Sequence, residues 1–235
     1  MKDRINILID ADSIYFKVCC VTKRKHEIRK YIKQKIREIE GDCSFFFDNV
    51  NVMLAIKGKG NYRDRLFENY KGKRPELEQD MKEALAYALE FMENEMGAIP
   101  CHDMEADDMV AIWAYECMDH DEPYVIAHID KDIDQVPGAH YNFNNQNMYD
   151  ITREDGYKKL MLQCLTGDRT DNIAGIKGIG PKKAALLLED VHPVDYWKTI
   201  ENAWAEKQAG DPYLSHKLLR MITSWEEYDY ITSSL

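Results

Sequence analysis

Apolar positions along this chain come either as unbroken short runs or at intervals of three to four residues, and the two patterns alternate. INILID at 5–10 is an unbroken run closed by a carboxylate, which predicts a strand covered on both faces whose last residue emerges at the sheet edge. Residues 13–40 carry helix formers and heavy positive charge and predict one helical segment. SFFFDNVNVMLAI at 44–56 is aromatic and β-branched, the composition of a second strand. In KGKGNYRDRLFENYKGKRP at 57–75, glycines open and Pro75 closes a flexible basic loop, which predicts a surface arch. Leu77, Met81, Leu85, Ala88 and Met92 recur at helical spacing within 76–96, so an amphipathic helix follows. Another helix is expected from near Glu105 through ADDMVAIWAYECM, and PYVIAHID at 123–130 repeats the apolar strand that ends in aspartate. Strands alternating with helices imply a parallel sheet. In such sheets ligands collect at the carboxyl ends of the strands, where Asp10 and Asp130 would lie. From about residue 150 the pattern is helical, interrupted by GIKGIGPKK.

A length of 235 residues fits one sizeable domain or two small ones. The apolar run near the N-terminus is too short for a signal segment or a membrane span, so a cytoplasmic protein is expected. The six cysteines show no CxxC spacing and sit mostly in apolar stretches, which predicts reduced thiols that pack. The net charge of -11 argues against a phosphate-bearing partner. Its distribution changes that picture: lysines and arginines gather in 23–37 and 57–74, while the acids recur in short motifs elsewhere. Separated signs can serve cations and phosphates together.

Those acidic motifs are IDADS (Asp10, Asp12), EADD (Glu105, Asp107, Asp108), DKDID (Asp130, Asp132, Asp134) and GDRTD (Asp168, Asp171). Any one of them is explained equally well as a helix cap. Together, strand-end aspartates and helix-start clusters would converge on one sheet edge, where uncompensated carboxylates repel and a cation relieves the repulsion. Oxygen-only ligation points to Mg²⁺ or Mn²⁺ rather than Zn²⁺. Two such ions about 4 Å apart can activate a water and stabilise the leaving oxygen of a phosphodiester. GIKGIGPKK adds glycines whose N–H groups can approach an anion, followed by a helix start with Lys182 and Lys183. It is not a P-loop, and a tight interhelical turn explains it as well as phosphate binding does.

In order, IDADS, FENYKGKRP, EADD, DKDIDQ and GDRTDNIAGIKGIGPKKA resemble the 5'-nuclease family of bacteriophage 5'-3' exonucleases, flap endonucleases and the 5'-nuclease domain of bacterial DNA polymerase I. The last segment is the most specific, and is similar to the family's helix-three-turn-helix, which grips duplex backbone. The resemblance implies an α/β, PIN-like 5'-nuclease fold: a mainly parallel twisted sheet flanked by helices, with a helical arch. A metal-binding nuclease core is expected over 1–150, including the arch at about 57–96, and a helical DNA-binding region over 151–235. The family's ligands to two divalent cations fall on Asp10, Glu105, Asp107, Asp108 and Asp130 for one ion. Asp132, Asp168 and Asp171 serve mainly the other, with Asp130 near both and Asp134 beyond the ligands. Lys71 and Arg74 would meet the scissile phosphate, Tyr70 would stack on the terminal base and Arg63 would hold a phosphate nearby. Gly175, Gly178, Gly180, Lys182 and Lys183 would contact the duplex backbone, with K⁺ as a further candidate ion there.

The implied activity is Mg²⁺-dependent 5'-3' exonuclease action on DNA with a free 5' end, flap or nick, with flap cleavage and RNase H-like action on RNA–DNA hybrids as further candidates. A monomeric, stand-alone nuclease is expected, in a host cytoplasm if the source is viral. One departure is plain: family members place an aspartate at the end of the second strand, where this chain has Ala55 and Ile56. Asp12 is the residue available to compensate. Two other readings stay open: a non-catalytic DNA-binding member that has lost full metal binding, and a PIN-type ribonuclease.

Overall fold

The computed structural model describes residues 4–44 and 47–234. Its centre is a six-stranded sheet of order β3-β2-β1-β4-β5-β6. The strands are β1 (Arg4–Asp10), β2 (Asn49–Lys57), β3 (Ile99–Cys101), β4 (Tyr124–His128), β5 (Gly138–Asn142) and β6 (Asn147–Ile151). All neighbours pair parallel except β5 and β6. The first strand occupies the middle because its run is apolar on both faces. Ile7 and Ile9 enter one core with helices α1 (Asp12–Val21), α2 (Lys25–Cys43) and α4 (Gln79–Met96). Leu8 enters the opposite core with α5 (Ala106–Asp119). Each such fully buried side chain contributes about 1.5–3 kcal/mol relative to exposure.

The helix expected over 13–40 is two helices. Thr22 breaks it in an extended conformation, its hydroxyl accepting from Arg24 N–H and donating to Glu27, so the chain turns and restarts at Lys25. Of the strand expected at 44–56, residues 45 and 46 lie outside the described residues and pairing begins at Asn49. The hairpin β5–β6 carries no strand signal in the sequence, because its Asn-rich turn and half-polar strands resemble a loop. Asn142 Oδ1 closes that turn on the N–H of Asn144.

The basic loop is not a free flexible segment. It contains α3 (Tyr62–Leu66) and is anchored by buried Tyr62, Arg63 and Tyr70. Its following limb, α4, buries Met81, Ala84, Ala88, Phe91 and Met92 against the first core. The 23–37 basic stretch packs on the same limb, with Arg29 4.7 Å from the Phe91 ring and Lys25 4.8 Å from the Tyr87 ring. The Arg29 and Lys25 charges thus lie over aromatic rings of that limb.

Beyond the sheet, α6 (Arg153–Thr166), α7 (Pro181–Leu187), α8 (Tyr196–Lys207) and α9 (Pro212–Leu219) enclose a third core around Cys164, Leu165, Ile176 and Trp204. The chain then returns, placing Met221 and Ile222 in the α5 core ahead of α10 (Trp225–Ser233). All six cysteines are free, and all but Cys20 are buried. No helix of the described residues is long and apolar enough to cross a membrane.

Candidate active site

The carboxyl ends of β1 and β4 and the start of α5 meet at one edge of the sheet. Asp10 closes β1 at 7% exposure. Burial pushes its carboxyl well above the usual range, and the charges of Asp12, Asp130 and Glu105 push it further. Asp107, on the first turn of α5, is raised well above its ordinary value by burial and then by Asp108 and Glu105. Asp130 follows β4 and opens a 3₁₀ helix, Lys131–Gln135, accepting from Asp132 N–H at 2.9 Å. Asp132 is pushed up to about 7 by burial, then by Asp130 and Asp168. Two groups of mutually repelling carboxylates are thus joined through Asp130: Asp10, Glu105 and Asp107 on one side, Asp132 and Asp168 on the other.

Such a set fits hard divalent cations, since repulsion between buried carboxylates is what bound charge removes. Among the described residues, no three of these acids bring ligand atoms within 4.8 Å of one another. Because Asp132 binds its proton more tightly folded than unfolded, its contribution to metal-free stability is full below about pH 4 and is lost as pH rises through about 7. A divalent cation such as Mg²⁺ bound there would take the place of the proton. Its stabilising effect, measured as the shift in Tm on adding MgCl₂, is therefore expected to grow from pH 5 to pH 8; an equal shift at both values would contradict this.

Asp12 stands at the gap left by Ala55 and Ile56. Its Oδ1 accepts from Lys57 N–H at 2.7 Å, where β2 ends beside β1. Burial raises its carboxyl while that hydrogen bond lowers it. A carboxylate from the start of α1 thus lies beside the end of the second strand. Asp12→Ala is expected to weaken Mg²⁺ or Mn²⁺ binding about 10–100-fold, as loss of a group supporting the ligands does; calorimetric titration of the metal-free protein measures it.

Four sequence expectations change. Asp108, expected as a ligand, is fully buried: its oxygens accept from Arg63 Nη1 at 2.5 Å and Nη2 at 2.9 Å, from Ile222 N–H at 3.0 Å and from Glu105 N–H at 3.1 Å. No lone pair faces the cluster unoccupied. Arg63, expected on a phosphate, is 2% exposed and also donates to the carbonyls of Leu218 and Arg220. Tyr70, expected to stack on a base, is 5% exposed and its hydroxyl donates to Glu105 at 2.8 Å and Asp171 at 3.0 Å. Asp171, expected at the second ion, accepts from Tyr70 and from Arg74 at 2.8 Å, so its charge faces the arch. Arginine and tyrosine in a basic stretch look like surface groups; only their burial shows otherwise.

Lys71 does reach the cluster, contacting Glu105 and lying 3.6 Å from Asp171. Burial would lower its ammonium, but Glu105 and Asp171 outweigh that and hold it above the usual lysine range. Glu105 answers in kind: burial would raise its carboxyl, but Lys71 and Arg63 hold it below its ordinary value. Asp134 lies outside the acidic set, accepting from Tyr149. Gln163 carried no sequence signal, yet its amide donates to Asp132 Oδ1 at 2.7 Å and accepts from Gln135.

The glycine-rich turn follows a short hairpin, β7 (Gly167–Asp168) with β8 (Ile173–Ala174). Gly175 is obligatory, since a Cβ there would lie 2.1 Å from the main chain of Thr166. Gly178 adopts φ +84 and Gly180 caps α7. Lys182 and Lys183 are both exposed, and the Lys183 ammonium donates to the Gly178 carbonyl at 2.9 Å. An open groove of about 510 Å³ joins this turn to Asp168, Arg169 and, from the arch, Lys73.

Residues 6–161 match the family model for the 5'-3' exonuclease, N-terminal resolvase-like domain. A 5'-3' exonuclease of Aquifex aeolicus is 27% identical over 177 residues, 68% of this chain and 61% of that protein. Flap endonuclease Xni of Pseudoalteromonas translucida is 28% identical over 206 residues, 80% of this chain and 79% of that one. The bacteriophage T5 flap endonuclease, solved in a pseudo-enzyme-product complex with DNA and metal ions, aligns at a TM-score of 0.70 with 20% identity, covering 98% of this chain and 97% of the other. The catalytic core of Rad2 with DNA substrate aligns at 0.51 with 18% identity, over 98% of this chain and 77% of that one. The fold is shared with both.

Proposed function

The chain belongs to the 5'-3' exonuclease family, and we propose that it is a divalent-metal-dependent 5'-3' exonuclease on DNA that also cuts 5' flaps. The observation that carries this reading is the pair of carboxylate groups joined through Asp130, with Lys71 in contact with one of their members. Asp10, Glu105, Asp107 and Asp130 would hold one ion, and Asp130, Asp132 and Asp168 the other; Mg²⁺ suits them best, with Mn²⁺ as substitute. When bound, such ions supply charge that activates a water and stabilises the leaving oxygen.

The chain's own groups do the rest. Lys71 and Arg74, held on Glu105 and Asp171, would turn to the scissile phosphate and offset charge on its oxygens. The groove between the glycine turn and Lys73 would carry the duplex backbone, with Lys182, the N–H groups around Gly175, Gly178 and Gly180, and a K⁺ ion as phosphate partners. Backbone contacts carry little sequence information, so structure is what would be recognised. The protein would act as a cytoplasmic monomer. The test is a panel of blunt, nicked, 5'-flapped, RNA–DNA hybrid and single-stranded RNA substrates with Mg²⁺ or Mn²⁺. Cleavage from a 5' end or flap is expected; cutting only single-stranded RNA would favour the PIN-type ribonuclease instead.

A further inference from the structure

His128 ends β4 and His140 lies on the neighbouring β5, both at most 1% exposed. Each imidazole is pinned on its outer side by a main-chain carbonyl: His128 Nδ1 lies 2.6 Å from Asp130 O, and His140 Nε2 lies 2.8 Å from Val136 O. A carbonyl only accepts, so both outer nitrogens carry their hydrogen. A neutral imidazole has one N–H. The inner nitrogens, His128 Nε2 and His140 Nδ1, therefore both present lone pairs, yet they face each other at 2.8 Å. Two opposed lone pairs at that distance repel unless a positive centre is shared between them. A metal ion or a shared proton could occupy that place, and the Asp134 carboxylate beside the pair favours the ion of higher charge.

We propose that His128, His140 and Asp134 form a site for one zinc-class transition-metal ion, separate in its chemistry from the oxygen-only cluster. Their ligand atoms all lie within 4.8 Å of one another, a closeness that no other group of three His, Cys, Asp or Glu attains among the described residues. The Asp134 carboxylate stands 3.9 Å from His128 Nε2. Tyr149, the register partner of His140 on β6, donates to Asp134 Oδ1 at 2.8 Å, lies 3.3 Å from His128 Nε2 and stacks on His140. Metal-binding histidines commonly donate their outer N–H to a carbonyl, which fixes the tautomer that leaves the inner nitrogen free; both rings here are held that way. Nitrogen ligation at about 2.0–2.1 Å asks the inner nitrogens to part to about 3.3 Å. Two imidazoles and one carboxylate suit Zn²⁺ rather than Mg²⁺. Such an ion would tie β4, β5 and the 3₁₀ helix together, and would brace the main chain of Asp130 through the His128 hydrogen bond.

The full chain, stripped with chelator and titrated with Co²⁺, tests this. One equivalent should produce the strong visible absorption of a tetrahedral nitrogen-containing site, which equimolar Zn²⁺ removes and excess Mg²⁺ does not; six-oxygen sites absorb weakly. His140→Gln and Asp134→Asn should each weaken that Co²⁺ binding at least about tenfold, and Asp107→Asn should leave it intact. Asp134 is partly exposed, so its variant remains informative if His140→Gln fails to fold. Absence of the strong bands in the wild-type protein, their persistence in the folded variants, or their loss in Asp107→Asn would overturn the proposal. The first of these outcomes would leave a shared proton between the rings.

Discussion

Asp107→Asn and Asp130→Ala are each expected to reduce Mg²⁺-dependent cleavage of a 5'-labelled duplex by at least about 10³-fold, since each removes a ligand charge on which transition-state stabilisation depends. The same substitution at Asp107 is expected to act on stability with the opposite sign. In the metal-free protein this carboxyl is held well above its usual range by burial and by Asp108 and Glu105, so at pH 8 ionisation there opposes folding. Removing the charge while keeping the shape should raise the Tm of the metal-free protein. A residue needed only for the fold would lose both activity and stability. Loss of activity together with a higher metal-free Tm is therefore the signature of a site strained for function, and full activity in either variant would sink the nuclease assignment.

Arg63→Met is expected to destabilise the protein by about 3–5 kcal/mol, the effect of breaking a buried pair from one side. The guanidinium joins α3 to α5 through Asp108 and to the returning C-terminal segment through the carbonyls of Leu218 and Arg220. Without it, Asp108 is an uncompensated buried charge next to Glu105 and Asp107. Adding Asp108→Asn, whose single carbonyl oxygen keeps an acceptor for one of the N–H groups of Ile222 and Glu105, removes the uncompensated charge and should restore part of the loss. Urea unfolding of the two single variants and the double variant gives the coupling. If Arg63→Met left stability unchanged and weakened only DNA binding, Arg63 would be the phosphate contact that its place in a basic stretch suggests.

The buried pair also explains how the fold and the site depend on each other. Asp108 completes a reciprocal cap with Glu105 at the start of α5, which sets the position of Glu105. Tyr70, buried in the helical core, bridges Glu105 and Asp171. The sheet edge, the arch and the helical region are thereby tied at one place, so the regions 1–150 and 151–235 share their packing there.

Periodicity and motif alone determined the central strand, the parallel α/β architecture, the helices α4 and α5, and the expectation that the four acidic motifs converge on one sheet edge. These follow from local rules: an apolar run ended by an acid must leave the sheet at its edge, and parallel strands bring such ends together. Tertiary structure decided what each charge does. Asp107 and Asp108 are adjacent and chemically alike, yet a helix turns successive residues by about 100°, sending one toward the cluster and the other into the core to meet Arg63. Asp12 reaches the end of β2 beside Ala55 and Ile56 only because β1 and β2 are neighbours in register. His128 and His140 face each other only because β4 and β5 pair. Burial and cross-strand neighbours are properties of the folded chain, and no spacing along the sequence encodes them.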